Sequence, residues 1–394
     1  MQKNGLESSA PNQPGGNMRF FYQLLWIVAA LPFSYAEEAL DLRIPVVDMQ
    51  DFYNEEKQEA FLDTLYDAMT TVGFFAVRHT GIDASVIREA YAQAETFFKR
   101  PAAYKNLSFA KELRGQRGFV PGESAKGNTS KDCKEFYHIG REDRYAPNVW
   151  PSQTGFRMAM VSLYDELDRY VAPLQEAIVK TINRRAGGDR VPLDFLSATT
   201  QTGDSLLRAL YYPALSEETL KNPVQWAAAH TDIDYLAILP YATEKGLQVE
   251  IEGQWFNVVV PEDAFIVNIG DMLKNLTNGL CVSARHRVVA LEPNKERFSM
   301  VYFVHPSDQT PLDPIPACIE LTGGVQTYAP GTRNEFLWER LIELNIAPGL
   351  LETYAKTGHT ERQMRYGRES KQVVELLVKE GLASEEVLNH LQKR

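Results

Sequence analysis

Seven short apolar runs between residues 206 and 304 constrain the possible folds more than any other feature of this sequence. Each run is five to seven residues long, and polar or turn-forming residues separate it from the next one. Short strands at such regular spacing are typical of a β-sandwich or a β-barrel. The runs are Leu206–Tyr212, Tyr235–Leu239, Leu247–Ile251, Trp255–Val260, Phe265–Ile269, Arg287–Leu291 and Phe298–Val304.

The segments on either side of this β-rich stretch carry apolar residues at helical spacing, with two further short strands near the N-terminus. Residues 105–155 contain many glycines, prolines and polar residues, which favours loops. The predicted helices are Glu55–Val72, Ser85–Phe98, Arg157–Ala186, Asn334–Leu344 and Ser370–Gln392, and the two strands are Arg43–Asp48 and Gly73–Val77.

These elements predict a mixed α and β protein with four regions along the chain. Residues 1–36 form an N-terminal extension, and 37–195 form a mostly helical N-terminal region. Residues 196–310 form the β core, and 311–394 form a helical C-terminal extension. In such an arrangement the loops of 105–155 and the C-terminal extension are where we expect the residues that line a substrate pocket.

Composition excludes some classes of partner. With 394 residues and 44% hydrophobic residues, the chain is able to bury a large core. Its net charge of −11 and the lack of a long basic run argue against nucleic acid as a partner. A small-molecule substrate remains open, because net charge says little about a pocket. The three cysteines form no C-x-x-C pair, which favours reduced thiols over disulfides or a zinc site.

The N-terminal extension has the layout of a secretory signal peptide. Met18-Arg19 precedes an apolar stretch over 20–33, and Ser34-Tyr35-Ala36 resembles a cleavage site. The stretch is too short for a comfortable membrane span, so no stable span is expected in a chain that begins at 37. Cleavage there would favour export; the alternative is an apolar helix that packs on the body of a cytoplasmic protein.

His230, Asp232 and His286 are the candidate metal ligands. If the segment His230-Thr231-Asp232 is extended, its first and third side chains point to one face. His286 lies at the start of a later predicted strand, which a rolled sheet brings opposite that pair. Two histidines and one carboxylate leave open positions on the metal, an arrangement suited to Fe(II) oxygenases. A structural zinc site would prefer a closed shell of four ligands, and neither His230-Thr231-Asp232 nor the segment 283–289 around His286 contains a further Cys or His.

The triplet Arg297-Phe298-Ser299 is a candidate carboxylate site. On a strand, Arg297 and Ser299 share a face, where a guanidinium grips a carboxylate through two parallel hydrogen bonds and the hydroxyl adds a third. The alternative is an arginine in a structural ion pair with one of the 52 acidic residues of the chain.

Together these motifs resemble the 2-oxoglutarate/Fe(II)-dependent dioxygenases of the isopenicillin N synthase-like superfamily, over almost all of residues 43–310. The pattern H-x-D, a His about fifty residues later and R-x-S is the core of the resemblance. Further similar segments are Ile44–Asp48, Gly73-Phe74-Phe75, Phe97-Phe98 before Pro101, Tyr211-Tyr212-Pro213, and the stretch Asn268–Leu273 through Thr277-Asn278-Gly279 to His286-Arg287-Val288.

The resemblance implies a double-stranded β-helix (jelly roll) core wrapped by helices. It implies catalytic iron bound by His230, Asp232 and His286, and the cosubstrate 2-oxoglutarate bound by Arg297 and Ser299. Tyr212 is similar to a tyrosine that contacts the 2-oxo acid in that family.

The implied reaction consumes O2, oxidises a small organic substrate by hydroxylation, desaturation or cyclisation, and releases succinate and CO2. One departure is Leu210, where family members often have asparagine, and it affects one cosubstrate contact. The implied need for reduced iron and a 2-oxo acid, which are chiefly intracellular, runs against export.

Two alternatives remain open at the level of sequence. A 2-oxoglutarate-independent Fe(II) oxidase of the isopenicillin N synthase type also keeps R-x-S, there to hold a substrate carboxylate, and it releases no succinate. A non-catalytic jelly-roll binding protein would share the fold without the chemistry, and metal analysis with oxygen uptake would separate it. A zinc hydrolase is disfavoured, because no adjacent general base accompanies the H-x-D motif.

Overall fold

The described chain contains thirteen strands: β1 Leu40–Arg43, β2 Val46–Asp48, β3 Phe74–Arg78, β4 Gly118–Val120, β5 Glu135–Gly140, β6 Leu206–Tyr212, β7 Gln225–His230, β8 Leu236–Leu239, β9 Leu247–Ile251, β10 Gln254–Val259, β11 Phe265–Ile269, β12 His286–Val289 and β13 Arg297–Val304. They form two sheets, a five-stranded one in the order β1-β10-β9-β12-β7 and an eight-stranded one in the order β2-β3-β11-β8-β13-β6-β5-β4.

The computed structural model describes residues 39–122, 132–220 and 225–393, and these belong to one compact unit, Ala39–Arg394. The signal segment predicted at 18–36 lies outside the described residues. The division of the remainder at 195 and 310 stays a prediction.

Fourteen helices of the described ranges surround the sheets, with three short 3-10 turns besides. The helices are α1 Met49–Phe52, α2 Gln58–Thr71, α3 Ala84–Phe98, α4 Ala102–Lys105, α5 Phe156–Arg185, α6 Ser197–Thr200, α7 Glu217–Leu220, α8 Asp271–Leu276, α9 Pro316–Leu321, α10 Arg333–Glu343, α11 Leu351–Ala355, α12 His359–Arg365, α13 Lys371–Lys379 and α14 Glu385–Gln392. None of the helices in these ranges is long and apolar enough to cross a lipid bilayer.

Strand β13 shows how the alternation of side chains divides the core. Its even-numbered residues, such as Met300 and Tyr302, belong to a large apolar cluster shared with helices α2, α3 and α5. Its odd-numbered residues point to the opposite face of the sheet, where Val301 joins a second cluster built from both sheets. Helices therefore cover the outer face of the large sheet, and a jelly-roll interior lies between the two sheets, which confirms the predicted fold class.

Several elements differ from the local predictions. The loop-rich segment 105–155 also contains strands β4 and β5, the predicted strand Arg43–Asp48 is divided into β1 and β2, and the strand β7, Gln225–His230, was not predicted. The β7 sequence contains three consecutive alanines, which have low β-propensity and show no polar alternation, so its local signal is weak. The helix predicted over 370–392 is divided into α13 and α14, because Gly381 has φ +68 and Ser384 caps a new helix.

Candidate active site

The structure brings His230, Asp232 and His286 together at one end of the small sheet. One ligand atom from each residue lies within 4.8 Å of the others, and no second such cluster of His, Cys, Asp or Glu occurs in the described part of the chain. His230 is the last residue of β7 and His286 the first of β12, and the two are direct antiparallel partners. The pairing of two strands that lie far apart in sequence thus creates the site.

Asp232 lies just beyond a strand and not on it. Strand β7 ends at His230, and Asp232 sits in the turn that leads towards β8. The turn nevertheless aims the carboxylate at both rings: Oδ1 is 3.8 Å from His230 Nε2 and Oδ2 is 3.6 Å from His286 Nε2. The backbone N–H of Asp271 donates to the carbonyl of Asp232 at 2.8 Å, which fixes this turn.

The ring orientations suit a metal site. His230 Nδ1 lies 2.7 Å from the carbonyl of Ala228, and His286 Nδ1 lies 3.3 Å from that of Ala284. A ring that donates Nδ1–H to a carbonyl carries its lone pair on Nε2, and in both residues Nε2 is the atom near Asp232. A backbone carbonyl beside each ring is the outer support that metal-binding histidines commonly have.

The protonation states also fit a metal. Burial, followed by the charge of His286, lowers the pKa of His230 below its usual value. Burial by itself would raise the pKa of Asp232, but the His286 and His230 rings and a hydrogen bond from Asn268 outweigh it and lower that pKa. A neutral imidazole and an ionised carboxylate are the forms in which these groups bind metal. The three residues therefore fit a mononuclear metal with open positions.

A hydrogen-bonded network that sequence reasoning missed holds Asp232 in place. Asn268 Nδ2 donates to Asp232 Oδ2 at 2.8 Å. Thr231 Oγ1 and Arg340 Nη2 each donate to Asp271 Oδ2 at 2.8 Å, and Arg340 Nη1 reaches the carbonyl of Thr231 at 3.3 Å. Asn268 and Asp271 lie within a recognised motif, but Arg340 comes from helix α10 of the C-terminal extension and carried no sequence signal.

Replacing Arg340 with methionine is expected to weaken metal binding by about 10-fold, the lower end of the usual effect of outer-shell substitutions. The reason is that the Thr231–Asp232 turn loses its anchor to α10. The measurement is an anaerobic titration with Co(II), which reports affinity without turnover. The control is Arg362→Met, since the hydrogen bonds of Arg362 within the described residues go to Pro330, Thr357 and Glu335 and not to this turn. Equal metal affinity in the two variants would contradict a positioning role for Arg340.

Arg297, Ser299 and Tyr212 meet on the inner face of the large sheet. Arg297 and Ser299 are each only 2% exposed, and Arg297 Nη1 donates to Ser299 Oγ at 3.0 Å. Tyr212 is the cross-strand partner of Arg297, and its ring centroid lies 5.0 Å from the guanidinium carbon.

No carboxylate of the described residues forms a salt bridge with Arg297, whose Nε instead donates to the carbonyl of Glu244 at 2.9 Å. A buried guanidinium is costly without an anion. The structural ion pair that we considered as the alternative is therefore not found among these residues, and the environment favours a bound carboxylate.

Two joined cavities connect these groups. A narrow one runs from His230, Asp232 and His286 to Arg297 and Ser299. A wider one, of about 500 Å³, begins at His230 and Asp232 and opens away from Arg297. Its walls include residues of 109–122, 132–138 and 337–346, so both segments expected to supply pocket residues do so.

Comparisons with known proteins give a consistent result. Residues 44–153 match the family model described as non-haem dioxygenase in morphine synthesis N-terminal, and residues 203–306 match the 2OG-Fe(II) oxygenase superfamily. A solved 2OG-Fe(II) oxygenase family protein from Caulobacter crescentus is 31% identical, with a TM-score of 0.66 over 76% of this chain and 98% of that one.

Two further relatives agree. A full-length Neurospora crassa protein, solved in complex with alpha-KG, is 27% identical, with a TM-score of 0.68 over 78% of this chain and 98% of that one. The proline hydroxylase buaE of Petromyces alliaceus is 28% identical over 324 residues, which covers 77% of this chain and 99% of the relative.

Proposed function

The chain belongs to the 2OG-Fe(II) oxygenase superfamily, and on that premise we propose that His230, Asp232 and His286 bind its iron. The protein is a 2-oxoglutarate-dependent non-haem iron dioxygenase with Fe(II) as its metal. What supports the ligand assignment is the convergence of one ring nitrogen from each histidine and one carboxylate oxygen within 4.8 Å of one another. We regard this as the observation that carries the proposal, because the donor set leaves positions for other ligands.

For the cosubstrate we propose Arg297, Ser299 and Tyr212 as the binding residues. The 5-carboxylate of 2-oxoglutarate would accept hydrogen bonds from the Arg297 guanidinium and the Ser299 hydroxyl, while the Tyr212 ring packs beside the guanidinium. The narrow cavity is continuous from this pair to the proposed iron ligands, which supports one molecule that reaches both.

When bound, iron and 2-oxoglutarate supply the oxidising chemistry, in which O2 is consumed, succinate and CO2 are released and a substrate carbon is oxidised. The chain orients and shields these groups. Asn268 holds one oxygen of Asp232 and so sets the direction of the other. Phe74 packs edge-on against the His286 ring, with centroids 5.5 Å apart, and the apolar side chains Leu210, Val288 and Val301 exclude water from the narrow cavity.

The substrate we propose is a small organic molecule in the wider cavity. Its volume of about 500 Å³ lies within the range usual for small-ligand sites. The Neurospora crassa protein has also been solved with thymine, and the relative from Petromyces alliaceus is named a proline hydroxylase, so relatives act on or bind small molecules. The acidic net charge of −11 further disfavours a nucleic acid partner.

The test is an anaerobic titration of the Fe(II)-loaded protein with 2-oxoglutarate, followed by visible absorption. We expect a weak charge-transfer band that saturates with 2-oxoglutarate and is absent in His286→Ala. Succinate should then form when oxygen is admitted. Oxygen uptake without succinate would instead support a 2-oxoglutarate-independent oxidase, and failure to bind iron would favour a non-catalytic jelly-roll protein.

A further inference from the structure

His305 directly follows strand β13 and lines the wide cavity. Inner-face residues of β13 are spaced two apart, and Ser299, Val301 and Phe303 line the narrow cavity from that face. His305 continues this row by one step. Its imidazole therefore lies on the inner side of the large sheet, at the opposite end of the row from Arg297.

The backbone at His305 is held by three contacts. Its N–H donates to Ser205 Oγ at 3.2 Å, and the N–H of Tyr235 donates to the carbonyl of the residue before His305 at 3.0 Å. Gly203 packs so closely that a Cβ there would lie 1.9 Å from the carbonyl oxygen of His305. Since Tyr235 is three residues beyond Asp232, these contacts hold His305 next to the segment that carries a proposed iron ligand.

The ring of His305 lacks the partner that a buried histidine usually has. Only 5% of the residue is exposed, and its Nδ1 atom is enclosed without a hydrogen-bond partner among the described residues. A neutral imidazole has one N–H donor and one acceptor nitrogen. Orphaned buried N–H groups are rarer in proteins than under-satisfied acceptors, so the proton belongs on Nε2, away from the enclosed side of the ring.

The ring is also neutral. Burial, followed by the charge of Arg333, lowers the pKa of His305 well below its ordinary value. Arg333 is itself paired with Asp308, at 3.0 Å. A neutral imidazole whose proton lies on Nε2 offers a single N–H donor without a net charge, and an uncharged acceptor such as a carbonyl oxygen suits it.

One described wall of the same cavity is apolar. Helix α10 and the residues after it contribute Leu337, Leu341, Leu344 and Ile346. A molecule that fills this cavity therefore meets aliphatic side chains at the C-terminal extension and the His305 ring at the sheet. Apolar walls with a few placed polar groups are the usual composition of a small-molecule site, in which the polar groups set the orientation of the ligand.

We propose that His305 is a substrate-binding residue whose Nε2–H donates a hydrogen bond to an uncharged acceptor oxygen, such as a carbonyl, on a substrate with an apolar body. This inference rests on the proposed function, because it uses the position of the iron ligands to identify the wide cavity as the substrate site. His230 and Asp232 line that cavity too, so a bond to His305 would determine which part of the substrate lies beside them.

The experiment uses the full chain loaded with Fe(II) and 2-oxoglutarate without air, and the readout is the perturbation of the charge-transfer band. The probes are acetophenone, 1-indanone and benzophenone, each compared with the analogue in which C=CH2 replaces C=O. For at least one pair, His305→Leu should lower the ratio of ketone affinity to alkene affinity by about 5-fold, which corresponds to a net hydrogen bond of about 1 kcal/mol. Both members of a pair have nearly the same shape, so the ratio cancels the effect of the substitution on the apolar fit.

Two further variants separate a hydrogen bond from a structural role. His305→Gln keeps an N–H donor near the position of Nε2 and should retain part of the wild-type ratio. His390→Leu changes a histidine of α14 that lines neither cavity, and it should leave the ratio unchanged.

A second measurement tests the tautomer directly. In protein with 15N-labelled histidine and diamagnetic Zn(II) in place of iron, the His305 ring is assigned by the loss of its signal in His305→Leu. Its proton should lie on Nε2, and that resonance should shift when the ketone is added. A proton on Nδ1, an unchanged affinity ratio in His305→Leu, or no binding by any of the three ketones would each overturn the proposal. A 2-oxoglutarate band that forms before any probe is added shows that the proposed function holds when this inference fails; a band that never forms overturns both.

Discussion

Replacing Asp232 with alanine is expected to abolish iron binding at working concentrations and to reduce succinate formation to background. The carboxylate is the one negatively charged group among the proposed ligands, and it lies between the two rings, 3.8 Å and 3.6 Å from their Nε2 atoms. Replacing a residue that hydrogen-bonds to a metal ligand typically weakens metal binding by about 10- to 100-fold. Loss of the ligand itself should therefore weaken iron binding by more than about 100-fold.

The measurement is the iron content of protein reconstituted without air, together with succinate release in oxygen. Asp189→Ala is the matched control, because Asp189 is exposed in the loop after α5, away from the site. The thermal midpoint of each metal-free variant shows that the fold is retained. If Asp232→Ala kept stoichiometric iron and normal succinate release, the ligand assignment would be wrong.

Replacing Arg297 with alanine is expected to raise the KM for 2-oxoglutarate by about 100-fold or more, with a smaller effect on kcat at saturation. Truncating one partner of a buried, hydrogen-bonded charge pair costs about 2 to 5 kcal/mol, and about 2.8 kcal/mol corresponds to 100-fold. Arg297 is 2% exposed and has no salt-bridge partner among the described residues, so the carboxylate of the cosubstrate would be its main anion.

The anaerobic 2-oxoglutarate titration measures the same effect as a dissociation constant. Arg297→Lys keeps the positive charge but cannot form two parallel hydrogen bonds to a carboxylate. Its dissociation constant for 2-oxoglutarate should therefore lie between those of the wild type and Arg297→Ala. Arg285→Ala, an exposed arginine paired with Glu250 in the other sheet, is the matched control. A lower kcat with unchanged 2-oxoglutarate affinity in Arg297→Ala would contradict the proposed role of Arg297 in binding the cosubstrate.

The C-terminal extension has two roles in this structure. Helix α10 supplies aliphatic side chains to the wide cavity and, through Arg340, holds the turn that carries Asp232. A change in α10 is therefore able to affect both the fit of the substrate and the metal site. Residues on both sides of position 310 therefore line the wide cavity and support the proposed metal site.

The sequence by itself determined the fold class and identified the residues proposed to bind iron and 2-oxoglutarate. Strands such as β9 and β11 were predicted with their observed bounds, because buried strands between turn residues carry a strong local signal. The iron-ligand and cosubstrate candidates were also found from sequence, since H-x-D, the later histidine and R-x-S are short patterns whose residue types reflect the chemistry they serve.

Only the tertiary structure decided how these groups meet and what surrounds them. It placed Asp232 in a turn, and it revealed strand β7, whose alanines give little local signal. It also brought Arg340 to Thr231, 109 residues away, and set Arg208 between the rings of Phe136 and Phe303. Such contacts join elements far apart in the chain, and their energies depend on packing and burial that exist only once the sheets and helices have assembled.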